Sequence, residues 1–204
     1  MQTELTPQEK RQKFLWEARD LIIGAALPFV IMCIFSSTII LFADTDDLAV
    51  QLIAIIGGDI LLAAAYFIFG RQNGATAYRK YYLNETKRAL NSSDKKAIYK
   101  TGEYALWKGF AIPLISCVPF IILQIINICA PNTFCEFMLR YACGWAYFPL
   151  HAAGVHEAVN FVFIVIPVAA HVAGYILGMK KEEKIQAQVA EESAKLKKKH
   201  KKLG

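Results

Sequence analysis

The sequence predicts an all-α, polytopic integral membrane protein: four transmembrane helices, an outer interfacial or re-entrant helix and a cytoplasmic helical hairpin. Three observations carry this. First, 55% of the 204 residues are apolar, and they gather into four stretches nearly free of charge, 21–43, 48–70, 109–130 and 158–179. As a helix each stretch would be roughly 33 Å long, which matches a hydrocarbon core of about 30 Å. Second, 22 of the 23 Lys and Arg fall in segments 1–20, 71–108 and 180–204, leaving Arg140 alone on the other side. Basic segments resist translocation, so this bias places both termini in the cytoplasm, with the plasma membrane as the expected location. Third, the N-terminus is not a secretory signal. Glu4, Glu9, Glu17 and Asp20 interrupt its basic residues, and the apolar stretch that follows is too long for a signal's apolar region. Soluble, secreted, fibrous and disordered classes are thereby excluded. The net charge of +6 reads as topology rather than as a nucleic-acid signal.

Taken in order, Thr6-Pro7-Gln8-Glu9 has the form of a capping box with proline at the first helical position, so a juxtamembrane helix is expected over 1–20. It runs into the first span, where Pro28 removes a backbone bond and predicts a kink. Asp44 to Asp47 is too short a turn for anything but antiparallel neighbours, which makes the first two spans a hairpin. The loop 71–108 reads as two helical halves on either side of Asn91-Ser92-Ser93-Asp94. Tyr78, Tyr81 and Tyr82, with Tyr99, Tyr104 and Trp107 in the returning half, fit an interfacial aromatic belt. Pro113 and Pro119 predict a bent or locally unwound third span. In the outer segment 131–157, Phe134, Phe137, Met138, Tyr141, Trp145 and Phe148 recur at helical spacing, which predicts a short helix in the outer interface or dipping into it. The fourth span should continue as a helix into the tail 180–204.

Asp59, eleven positions into the second span, is the sharpest chemical signal, because an ionised carboxylate near a bilayer midplane is costly. Counted from the start of the fourth span, His171 falls at nearly the same depth, and Ser116 is at mid-depth on the third span. The expectation is an Asp59/His171 pair, serving either as a polar clamp between helices or as part of a proton or ion path. Ala170, Gly174 and Gly178 form a small-residue stripe that allows close helix approach. Lys195, Lys197, Lys198, Lys199, Lys201 and Lys202 are candidates for contact with anionic lipid heads. Cys129, Cys135 and Cys143 allow one disulfide if the outer compartment is oxidising. His151, His156 and Glu157 lack a metal-ligand spacing, so no metal and no cofactor are expected. Cysteines in the second outer loop give an outline similar to disulfide-generating quinone reductases of bacterial membranes. Here the first outer loop has four residues and no cysteine pair, so that family is not assigned.

These readings lead to a non-enzymatic membrane subunit or scaffold, partnered by the bilayer, by anionic lipids, and by further copies of itself or other membrane subunits. A small proton-linked or ion-linked transporter or channel is the alternative. An intramembrane enzyme ranks third, since no nucleophile and base stand at a workable spacing.

Overall fold

The computed structural model describes residues 6–43, 47–90, 105–151 and 157–203. Among them there is no strand. The elements are α1 (Pro7–Ala43), α2 (Leu48–Leu90), α3 (Leu106–Cys129), α4 (Thr133–His151), a 3-10 segment (Glu157–Ile164) and α5 (Val165–Leu203). Four of the helices are long and apolar enough to cross a membrane, with 18-residue windows of mean hydropathy 2.1 to 2.3. Along them Ile22, Ile23, Leu27, Val30, Ile34, Ile53, Ile56, Ile60 and Leu61 point outward and stay exposed. A continuous apolar exterior of that extent suits hydrocarbon rather than water, and it is consistent with a transmembrane protein.

Local chemistry explains the boundaries. Pro7 opens α1, and the Thr6 carbonyl accepts the Lys10 amide at 3.0 Å. Asp47 caps α2: its Oδ1 accepts the Ala49 and Val50 amides at 2.9 and 3.4 Å, covering two of the donors a helix start leaves unpaired. Within α1 the consecutive hydroxyls of Ser36, Ser37 and Thr38 donate to carbonyls four residues back, so a polar triplet is satisfied inside an apolar helix.

The first half of the expected cytoplasmic hairpin is a direct continuation of α2, which runs 43 residues to Leu90. Its break at Asn91 to Asp94 and the returning half with Tyr99 and Tyr104 lie outside the described residues, as do 44–46 in the first turn and His156. Likewise α5 continues as one helix to Leu203. Contrary to the expectation of local unwinding, α3 remains a single helix through Pro113 and Pro119.

The start of the fourth span differs from a plain α-helix. Residues 157–164 are 3-10 and the α-helix begins at Val165. Pro167 stands in the first turn of the α-helix, where a proline is tolerated, and it leaves the Phe163 carbonyl at the junction without an α-helical donor.

The aromatic stripe of α4 is split. Cys143 has non-helical dihedrals (φ −132°, ψ 24°), which turn the second half of the helix relative to the first. Phe134, Phe137 and Tyr141 precede the break and are exposed, whereas Trp145, Tyr147 and Phe148 follow it and are buried with Phe120, Leu139 and Met32 in the core. A single helical face carrying Phe134, Phe137, Tyr141, Trp145 and Phe148 together, as the spacing predicts, is therefore not what forms. The Ser37 hydroxyl, 3.0 Å from the Cys33 carbonyl, also lies 3.2 Å from the Tyr141 carbonyl and shares its one proton between them, and Gly144 lies against the Ser36 carbonyl, so α4 is seated on α1.

Candidate functional site

The seam between α2 and α5 sets the geometry of every polar group beside it. Gly70 and Gly74 on α2 face the carbonyl oxygens of His171 and Tyr175; Gly174 and Gly178 on α5 face those of Phe67 and Arg71. A Cβ at any of the four would sit 2.0 to 2.1 Å from a backbone oxygen. Two reciprocal Gly-x-x-x-Gly pairs thus bring the backbones into direct contact, in parallel orientation and in one fixed register.

That register places His171 level with Gly70, eleven residues further along α2 than Asp59 and so roughly 16 Å away along the helix axis. The structure does not bring Asp59 and His171 together. Counting depth from the two span starts fails because the glycines, not the ends of the apolar stretches, decide where α5 docks. The 3-10 start adds to the error, since about 2.0 Å per residue replaces 1.5 Å.

The partners of His171 are Asn73 and Gly109. Its Nδ1 lies 2.8 Å from the Gly109 carbonyl and its Nε2 lies 3.2 Å from Asn73 Nδ2. A carbonyl only accepts, so Nδ1 carries the proton and donates, and Nε2 accepts from the Asn73 amide. The ring is then neutral with both nitrogens engaged, and it is fully buried. Gly109 is four residues before Pro113, and its carbonyl is the one that Pro113 leaves without a helical donor. His171 supplies that donor from a neighbouring helix, the usual remedy for a proline-freed carbonyl away from water. Gly109 also lies against the Tyr175 ring, where an added Cβ would stand a tight 3.1 Å from ring atoms.

Ser116 is buried and belongs to a second network. Its hydroxyl donates to the Pro113 carbonyl at 2.7 Å, which leaves its oxygen to accept from the Tyr66 hydroxyl at 2.8 Å. The Pro28 carbonyl lies 3.4 Å from the same Tyr66 oxygen, so α1, α2 and α3 meet at one fully buried tyrosine. Asp59 is half-buried, and its Oδ1 is enclosed without a hydrogen-bond partner among the described residues.

Beside His171 the basic end of the bundle holds a cavity of about 120 Å3. Asn73 and Tyr175 form part of its wall, and Glu17, Asp20, Lys80 and Lys108 bring two carboxylates and two ammonium groups from α1, α2 and α3. A polar cavity of this size has room for a few waters. Further along the seam Arg79 forks onto Glu182, with Nε to Oε1 at 2.9 Å and Nη2 to Oε2 at 3.1 Å, and Gln186 donates to Oε1 at 2.8 Å. Glu182 is buried while Arg79 stays exposed.

The remaining sequence candidates are not assembled into a site. All five cysteines are free thiols; Cys129 is exposed, Cys135 and Cys143 are buried, and Cys135 accepts from Asn132 Nδ2 at 3.3 Å. Cys129, Cys135 and Cys143, the disulfide candidates, are therefore not bonded to one another here, and the exposed Cys129 sits in a different environment from the two buried thiols. Lys195 pairs with Glu191 at 2.7 Å on the exposed face of α5, and the side chains of Lys197 to Lys202 lie outside the described ones. Asn73, Tyr66 and the Arg79–Glu182 fork were not foreseen. A signal for the first was available in the Gly70-x-x-x-Gly74 spacing, which mirrors Gly174-x-x-x-Gly178 and continues the second span past its apolar end.

Compared with known proteins, the chain matches no family profile, no curated protein and no solved structure.

Proposed function

We propose that this is a non-enzymatic multi-pass membrane protein that acts as a membrane subunit or scaffold, with both termini in the cytoplasm of a plasma-membrane setting. The observation that carries the reading is the glycine-locked α2–α5 pair, whose helices continue past their apolar stretches to Leu90 and Leu203. At about 1.5 Å per residue these continuations reach roughly 30 Å or more beyond the bilayer. On the α5 continuation Ile185, Val189 and Leu196 are exposed and share one helical face, as a surface for a partner helix would. The full engagement of His171 and Ser116 supports structural roles for both.

A second reading, a small proton-linked or ion-linked transporter or channel, is favoured by the enclosed Asp59 oxygen, which has no hydrogen-bond partner among the described residues. Flux measurements in proteoliposomes separate the two. Under a proton or alkali-cation gradient, the scaffold reading expects wild-type protein to give no flux above protein-free liposomes. A pH-dependent flux that disappears in Asp59→Asn would overturn it in favour of transport.

A further inference from the structure

At the level where both apolar stretches end, a groove of about 350 Å3 opens between α2 and α5, and residues of these two helices alone line it. Its floor is shallow because Ala75 and Gly178 provide almost no side chain, and Gly178 rests against the backbone of Arg71. Three cations, Arg71, Arg79 and Lys181, border it together with the Gln72 amide. Only one carboxylate, Glu182, is among the lining residues, and Arg79 and Gln186 already occupy its oxygens. Lys181 adds its charge beside Glu182 without a close ion pair to it, and Arg71 has no ion-pair partner among the described residues. Below them Ile68 is exposed and continues the groove onto the apolar exterior of the span.

We propose that this groove holds the phosphate of an anionic phospholipid between Arg71 and Lys181, with its acyl chains descending past Ile68. A guanidinium offers a planar fork to phosphate oxygens, an ammonium adds a point charge, and the Gln72 amide adds a neutral donor. The depth fits, since phosphates lie where an apolar span gives way to water, and basic pockets between helices at that level take lipid head groups. The proposal stands independently of the scaffold or transport reading. It also differs from lipid contact by the tail lysines, which have no groove among the described residues.

Native mass spectrometry of the full chain, extracted from nanodiscs of equimolar phosphatidylglycerol and phosphatidylcholine, tests it. Each surface cation is worth about fivefold in anionic-lipid partition, so Arg71→Gln with Lys181→Gln should lower the phosphatidylglycerol preference roughly 25-fold, and each single change about fivefold. Both side chains are exposed, so helicity and melting should match wild type. A chain truncated after Glu192 should retain the preference. Unchanged preference in the double variant, or its loss on truncating the tail alone, overturns the proposal. Displacement of the lipid by millimolar inorganic phosphate, with phosphate then bound in detergent without lipid, overturns the lipid assignment and makes the occupant a soluble phosphate.

Discussion

Replacing Gly74 by alanine tests whether the α2–α5 seam sets the architecture. The added Cβ would lie 2.0 Å from the Tyr175 carbonyl oxygen. A carbon and a carbonyl oxygen approach to about 3.3 Å at the closest, so the helices must part locally by roughly 1.3 Å. No rotamer can relieve the clash, because the obstacle is backbone. Overpacking of this kind costs about 1 to 3 kcal/mol, and a backbone obstacle belongs at the upper end. Alanine in place of glycine returns about 1 kcal/mol of helix propensity, which leaves a net loss of roughly 2 kcal/mol. Gly57 provides an internal control on the same helix, since nothing lies within 4 Å of its Cβ position. Gly57→Ala should therefore be neutral or stabilising by up to about 1 kcal/mol. Unfolding in mixed micelles, followed through the fully buried Trp145 and by helical circular dichroism, reads both variants. Equal stability for Gly74→Ala and Gly57→Ala would refute direct backbone contact and the register built upon it.

Two further outcomes follow from the polar networks. His171→Leu leaves the Gly109 carbonyl unpaired and should cost about 1 to 3 kcal/mol, but much less in a Pro113→Ala background, where the restored amide takes over that carbonyl; additive losses in the same unfolding assay would remove the proline-rescue role. Arg79→Ala should destabilise more than Arg79→Ala combined with Glu182→Gln, because only the single change strands a buried carboxylate; a thermal-shift comparison in which the double variant is the weaker would contradict this.

How much of this was readable beforehand depends on the range of the interactions. Helix ends were legible wherever a local residue decides them: Pro7 and Asp47 mark the starts of α1 and α2, and the apolar lengths mark the four long helices. The midspan pairing was not, because it depends on how two helices slide past each other. A shift of about three helical turns along α2 moves His171 from the level of Asp59 to that of Gly70 and Asn73 without altering either helix's own pattern. Counting from span ends cannot detect such a shift, whereas the glycine spacing on both helices encodes it. The fate of the α4 aromatics was hidden for a different reason. A single residue leaving helical dihedrals at Cys143 rotates everything after it, and cysteine carries no local signal for that break.

The tightest seam in the molecule joins residues separated by about a hundred positions of chain, and this has a consequence for biogenesis. Synthesis runs from the N-terminus, so α2 is complete long before its partner exists. Until Gly178 has emerged from the ribosome, Gly70, Asn73 and Gly74 present bare backbone and an amide to whatever surrounds the nascent protein, be it lipid, the insertion machinery or α1. The Gly109 carbonyl freed by Pro113 waits for the same helix. A chain cut short between His151 and Val165 would contain the first three apolar helices and the contacts among them, yet no means of closing either gap. Docking of the last helix is thus the step that commits the bundle, and cellular surveillance of incomplete copies would have an exposed glycine face to recognise.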